Sequence, residues 1–139
     1  MNKRIKILLI ENSARFRAIV KEILISNFPS ISIQQARNGR EALIKLLRHR
    51  PDLIFMDIEL AEENGLELTK KVKEIYPDAV IIILTHHDLP EYQEAAYQNG
   101  AQYFLSKETT GAEEIVGLVE VLLAGERGQG SISIDSLKC

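Results

Sequence analysis

The chain has 139 residues, 45% hydrophobic and 27% charged, with a net charge of −3, which suits one globular domain with a real core. The acidic balance gives no electrostatic case for nucleic acid or an anionic membrane, since both require a basic face. The single cysteine, Cys139, excludes a disulfide framework and a cysteine metal cluster. The apolar run after the basic start Met1-Asn2-Lys3-Arg4 is too short for a signal peptide. Nothing approaches the ~20 apolar residues of a membrane span, so a cytoplasmic protein is expected.

Ile5 to Ile10 is apolar except for one lysine and reads as a buried strand that runs out at Glu11 and Asn12. Phe16, Ile19, Val20, Ile23 and Leu24 follow at helical spacing. Asn27 to Ser30, with Pro29, ends that helix. Ile31 to Gln34 alternates like a strand with one wetter face, and Asn38-Gly39 is a turn. Ala42, Leu43, Leu46 and Leu47 form the face of a second helix, stopped at Arg50-Pro51 because a residue before proline avoids the helical region. Leu53 to Met56 contains no polar side chain and predicts a strand buried on both faces. Asp57 stands where it ends, before a loop with Glu62, Glu63, Asn64 and Gly65.

A third helix starts at Leu66, carries Leu68, Val72 and Ile75, and stops at Tyr76-Pro77-Asp78. Ala79 to Leu84, the most apolar run, predicts a central strand ending at Thr85-His86-His87-Asp88. Glu91 to Gln98 predicts a fourth helix closed by Asn99-Gly100, a left-handed C-terminal signal. Tyr103 to Leu105 is a fifth strand, followed by Ser106-Lys107-Glu108. Ile115, Leu118, Val119, Leu122 and Leu123 mark the last helix, and Gly125 to Gly130 predicts a flexible break before a short tail.

Five strand–helix alternations with short connections predict an α/β parallel sheet covered by helices on both faces. Right-handed crossovers bring every strand's carboxyl end to one edge, where ligands bind. Glu11, Asn12, Asp57, Thr85 and Lys107 all stand there. From its own stretch Asp57 reads equally as a nucleophile and as a cap of the next helix; the other strand ends favour the nucleophile. An aspartate can accept a phosphoryl group covalently, and such transfer rests on positioning and charge neutralisation. Lys107 offers the positive charge, Thr85 a hydroxyl, and Glu11 and Asp57 the anionic ligands for a hard cation such as Mg²⁺.

As an ordered set these residues resemble the receiver domain of bacterial two-component response regulators, the CheY-like family. The set comprises Glu11-Asn12, Asp57-Ile58-Glu59-Leu60 with Asn64-Gly65, Thr85, and Ala101 to Lys107. The resemblance covers residues 4–125 as a receiver domain and leaves 126–139 as a tail or linker remnant. It implies a flavodoxin-like, doubly wound five-stranded parallel sheet of order 2-1-3-4-5 with five helices. It implies a phosphoprotein that takes a phosphoryl group on Asp57 from a sensor histidine kinase or phosphotransfer protein. Thr85 and Lys107 correspond to the phosphoryl-binding pair, and Thr85 and Phe104 to the switch. Glu11, Asn12, Asp57 and the backbone carbonyl of Glu59 correspond to the magnesium ligands. The implied output is a changed face of helix four, strand five and helix five, carrying Leu89, Tyr92, Ala96 and Tyr97, for a partner or a homodimer. No enzyme is implied beyond self-phosphorylation and slow autodephosphorylation.

The chain departs from the family pattern at two positions. Asn12 replaces a second acidic residue, and a neutral carbonyl is a poorer ligand for a hard cation, so weakened Mg²⁺ binding is expected. His86 stands where receivers usually carry a small residue; it reads either as narrowing access to Asp57 or as a solvent-facing loop histidine. On residue type alone Phe104 reads first as ordinary core, as strand aromatics usually are. Ser106-Lys107-Glu108, with no proline after the lysine, and Leu122 to Glu126 are similar to receivers that precede a helix-turn-helix DNA-binding module. About nine residues after them cannot form one, so direct nucleic-acid binding is not expected. Two other function classes stay open: a degenerate receiver acting as a phosphorylation-independent interaction module, and a haloacid dehalogenase-like hydrolase. The hydrolase would want an aspartate where Glu59 stands.

Overall fold

A computed structural model describes residues 4–127. The elements alternate as expected: β1 (Lys6–Ile10), α1 (Ala14–Asn27), β2 (Ser32–Ala36), α2 (Gly39–His49), β3 (Leu53–Met56), α3 (Gly65–Ile75), β4 (Val80–Thr85), α4 (Pro90–Gln98), β5 (Tyr103–Ser106) and α5 (Ala112–Arg127). The strands form one parallel sheet in the order β2-β1-β3-β4-β5. Two compact units make up the chain, one ending at Thr109 and the other beginning at Thr110. The first holds the sheet with α1 to α4, and the second holds α5.

In the first unit the core follows strand periodicity, since alternate residues face opposite sides of the sheet. Leu8, Ile10, Ile54, Met56, Ile81 and Ile83 cover one face and pack with Ala42, Leu46, Leu68, Val72 and Ala96 from α2, α3 and α4. Ile7, Leu9, Phe55 and Ile82, also buried, belong to the opposite face, where α1 lies along β1 with Val20 and Leu24 inward. All four residues of β3 are buried, as an uninterrupted apolar strand requires.

Helix ends follow local chemistry. Ser13, Asn38 and Asn64 cap α1, α2 and α3, each accepting a backbone N–H of the first turn. Gly100 takes φ 110° after α4, the left-handed turn that Asn99-Gly100 predicts. Arg50 ends α2 as expected but does so at φ 47°, left-handed rather than extended.

Several expectations need correction. Ser32 to Gln35 of β2 are half-buried rather than alternating, and Ala36 is buried, because an edge strand is covered from one side along its length. Leu47 and Ile75 lie on the solvent side of their helices, 66% and 48% exposed. Ala96, expected on an interaction face, is buried in the core, and Tyr92 packs partly against it. Leu89 and Tyr97 are exposed. Helix α5 continues through Gly125 to Arg127, past the expected break, since a single helix glycine costs only about 1 kcal/mol relative to alanine. The rest of the expected tail lies outside the described residues.

Gly65 fixes the loop after β3. A Cβ there would meet the Asp57 backbone oxygen at 2.0 Å and Ile58 Cα at 2.8 Å, and the Gly65 amide donates to the Ile58 carbonyl at 2.7 Å. Backbone cannot yield as a flexible side chain can. Gly65→Ala is expected to lower the unfolding free energy by roughly 1–3 kcal/mol, read from urea denaturation.

Candidate functional site

Each site residue is placed by a strand end. The Glu11 amide donates to the Ala36 carbonyl at 3.0 Å and the Asp57 amide to the Ile10 carbonyl at 3.1 Å, so β1 and β3 fix both carboxylates. The Lys107 amide donates to the Thr85 carbonyl at 2.8 Å, extending the pairing of β4 with β5. Two strand widths separate β3 from β5 in the sheet order. The four-carbon lysine stem spans that gap where a shorter cation would not.

The Lys107 ammonium lies 2.8 Å from Glu11 Oε1 and 2.9 Å from Asp57 Oδ2. All three side chains are almost fully buried, at 3%, 4% and 6% exposure for Lys107, Glu11 and Asp57. The remaining carboxylate oxygens are also satisfied: the Ser13 amide donates to Glu11 Oε2 at 3.0 Å, and the Glu59 amide to Asp57 Oδ1 at 3.2 Å. Burial raises the Glu11 carboxyl above its ordinary value of 4.5; the hydrogen bonds from Lys107 and Ser13 oppose the rise, and the nearby Asp57 charge adds to it.

A cleft of about 580 Å³ opens over this triad, lined by Glu11, Asn12, Asp57, Glu59, His86 and Lys107 together with α1 residues and the loop after β3. Thr85 does not line it. Its side chain is wholly buried, with Oγ1 accepting the His87 amide at 3.2 Å. His86 stands at the rim, its Nδ1 2.5 Å from Glu108 Oε2, both side chains more than half exposed. His87 Nε2 lies 3.4 Å from Glu59 Oε1. Phe104 is half-buried and packs against the core.

Sequence reasoning missed α1's share of the site. Phe16, read as core, lines the cleft, and its ring centroid lies 4.2 Å from the Lys107 ammonium. The Arg17 guanidinium donates to the Glu11 carbonyl at 2.6 Å and to the Asn12 carbonyl at 3.3 Å, pinning the loop after β1. The available signal was position: Phe16 belongs to the first turn after Glu11, where a helix meets the strand-end crevice.

The donor set fits a hard divalent cation in kind. Among the described residues no group of three Asp, Glu, His or Cys side chains could hold a metal. Mg²⁺ does not need one, since it keeps several waters and takes one or two carboxylates plus phosphate oxygens. Glu11 and Asp57 supply two carboxylates, with oxygens of Asn12 and Glu59 on the same cleft. One lysine against two carboxylates leaves a net negative charge for a cation to neutralise.

Residues 7–120 match the family model of the response regulator receiver domain. The chain belongs to that family. It is 30% identical over 122 residues to the transcriptional regulatory protein DegU of Brevibacillus brevis, an alignment covering 88% of this chain and 51% of DegU. It is 33% identical over 102 residues to the chemotaxis protein CheY of Bacillus subtilis, covering 73% of this chain and 84% of CheY. A two-component response regulator from Clostridium difficile superposes with TM-score 0.83 at 26% identity, covering 90% of this chain and 100% of that one. The receiver thus spans about half the length of DegU.

Breaking a buried ion pair from one side costs about 3–5 kcal/mol because the other charge stays buried. Lys107→Met is expected to lose an amount of that order in urea denaturation at pH 7. A carboxyl raised in the folded state favours folding below its unfolded pKa, and that contribution fades as pH rises through the folded value. With Glu11 raised above 4.5, the deficit of Lys107→Met should shrink when unfolding is repeated near pH 5.

Proposed function

We propose that this receiver accepts a phosphoryl group on Asp57 from a sensor histidine kinase or phosphotransfer protein in the cytoplasm. The observation that carries the reading is the Asp57 carboxylate on an open cleft, with the Lys107 ammonium 2.9 Å from Oδ2 and the Glu59 amide on Oδ1. In the reaction an Asp57 oxygen forms a bond to phosphorus as the donor's P–N bond breaks. The electron pair leaves on the histidine nitrogen, which takes up a proton. No other covalent change is needed, so positioning and charge carry the catalysis.

Lys107 neutralises charge on the transferring phosphoryl oxygens, and the Glu59 amide holds the attacking carboxylate. Glu11 holds Lys107 in place before the donor arrives. Glu11, Asn12, Asp57 and the Glu59 carbonyl would hold Mg²⁺, which when bound supplies further positive charge to the phosphoryl oxygens. The Thr85 hydroxyl, buried beside this seat, is available to a phosphoryl oxygen once it turns from the His87 amide. Phe104, lying behind Thr85 on the neighbouring strand, couples that turn to the surface of α4 and β5, where Leu89 and Tyr97 are exposed for an output partner or a second copy. This is a local charge event biasing a two-state surface. His86 narrows the entrance from the rim, and the chain acts as a signal acceptor with only slow autodephosphorylation.

Intact mass after treatment with acetyl phosphate and Mg²⁺ tests the reading. A phosphoryl adduct is expected on the wild type and not on Asp57→Asn; absence of an adduct on the wild type refutes it. The magnesium seat has its own test. A unit charge about 4 Å from a divalent ion contributes about 2 kcal/mol even in bulk water, so Asn12→Asp is expected to tighten Mg²⁺ binding roughly tenfold or more by calorimetric titration.

A further inference from the structure

The Lys107 side chain is 3% exposed although it stands on the floor of an open cleft. An ammonium group has three N–H donors. Among the described residues two carboxylate oxygens accept from it, those of Glu11 and Asp57. The Phe16 ring also packs against it, with Nζ over the ring 4.2 Å from its centroid. An aromatic face attracts a cation at that distance, and more strongly where water is excluded.

The placement of this ring is built in. Ser13 caps α1, its Oγ accepting the Phe16 amide at 3.1 Å. The Ser13 amide in turn donates to Glu11 Oε2 at 3.0 Å. Glu11 therefore grips Lys107 with one oxygen and, with the other, fixes the helix start that sets Phe16 over the same ammonium. Neighbouring apolar residues of α1 do not share this arrangement: Ile19 also lines the cleft but is 44% exposed.

We propose that Phe16 is a positioning residue for phosphoryl transfer: its aromatic face holds the Lys107 ammonium between Glu11 and Asp57 and keeps it dry. The inference rests on the proposed phosphorylation of Asp57, which deepens its consequence, but the contact itself can be read without that reaction. When an Asp57 oxygen forms its bond to phosphorus and the acetyl phosphate P–O bond breaks, acetate leaves with the electron pair. Lys107 must then already lie where negative charge gathers. A lysine free to swing into the cleft would hydrate and meet the phosphoryl group less often in the productive position.

Two measurements on the full chain test the proposal. The first is the acylation rate of Lys107 by acetic anhydride, read by peptide mass spectrometry against exposed lysines of the same molecule. The second is the initial rate of Asp57 phosphorylation by acetyl phosphate with Mg²⁺, read by intact mass. Phe16→Leu keeps apolar bulk without the aromatic face, and is expected to speed Lys107 acylation and slow phosphorylation, each about five- to thirtyfold. Phe16→Tyr restores both. Because Phe16→Leu also changes packing, a series of ring-fluorinated phenylalanines at position 16 is used to change the face charge at nearly constant volume. Both rates should then change steadily with fluorine count. Flat rates across the fluorinated series, or unchanged Lys107 acylation in Phe16→Leu, overturn the positioning role. A wild type that takes no phosphoryl group refutes the proposed function, while the acylation series still decides whether Phe16 holds Lys107.

Discussion

One buried ammonium ties the site together. Lys107 comes from the end of β5, Glu11 from the end of β1 and Asp57 from the end of β3, and its bonds to both close at under 3 Å. Removing three charges from water is costly, and the cost is offset only when each carboxylate oxygen and ammonium proton finds a partner. The Ser13 and Glu59 amides supply partners for the remaining carboxylate oxygens, from the two loops that follow β1 and β3. The strand order thus does more than shape the core. It decides which loops can reach one lysine.

This dependence explains what was legible in the sequence. Leu53 to Met56 predicts a doubly buried strand from composition alone, and the central position of β3 between β1 and β4 is what makes such a strand necessary. The strand-end polar residues were legible too, since a polar side chain just past an apolar run has one place to go in a parallel sheet. The partnership of Glu11 with Lys107 was not. Its 96-residue separation leaves no local trace, and Glu11 reads first as an anionic metal ligand. Phe16 was misread for a related reason. Helical periodicity assigns it to an apolar stripe, but the stripe's first turn projects past the sheet edge, where an aromatic ring meets the lysine instead of the core.

The rim is held differently from the floor. Around the loop after β4, His86 meets Glu108, the Ser106 hydroxyl donates to Asp88 at 2.8 Å, and His87 lies against Glu59 and the Tyr92 ring. These contacts are exposed, where a pair is typically worth about 0–1 kcal/mol. Beneath them the sheet and the Lys107 triad are buried. A loop held by several weak contacts above a rigid seat opens at far lower cost than the fold itself.

That contrast bears on how the proposed switch would work. A phosphoryl group on Asp57 would place new negative charge beside Lys107 without unseating the strands that carry either residue. Under the proposed reading the response would fall on the Thr85 hydroxyl, which accepts the His87 amide, and on the loop it begins. Phe104 pairs with Ile83 in the register of β4 and β5, one residue pair before Leu84 and Leu105 and two before Thr85 and Ser106. Under the proposed reading a displacement at Thr85 would reach the α4–β5 surface through these adjacent strand residues, while the buried core of β3 and β4 holds Asp57 in place.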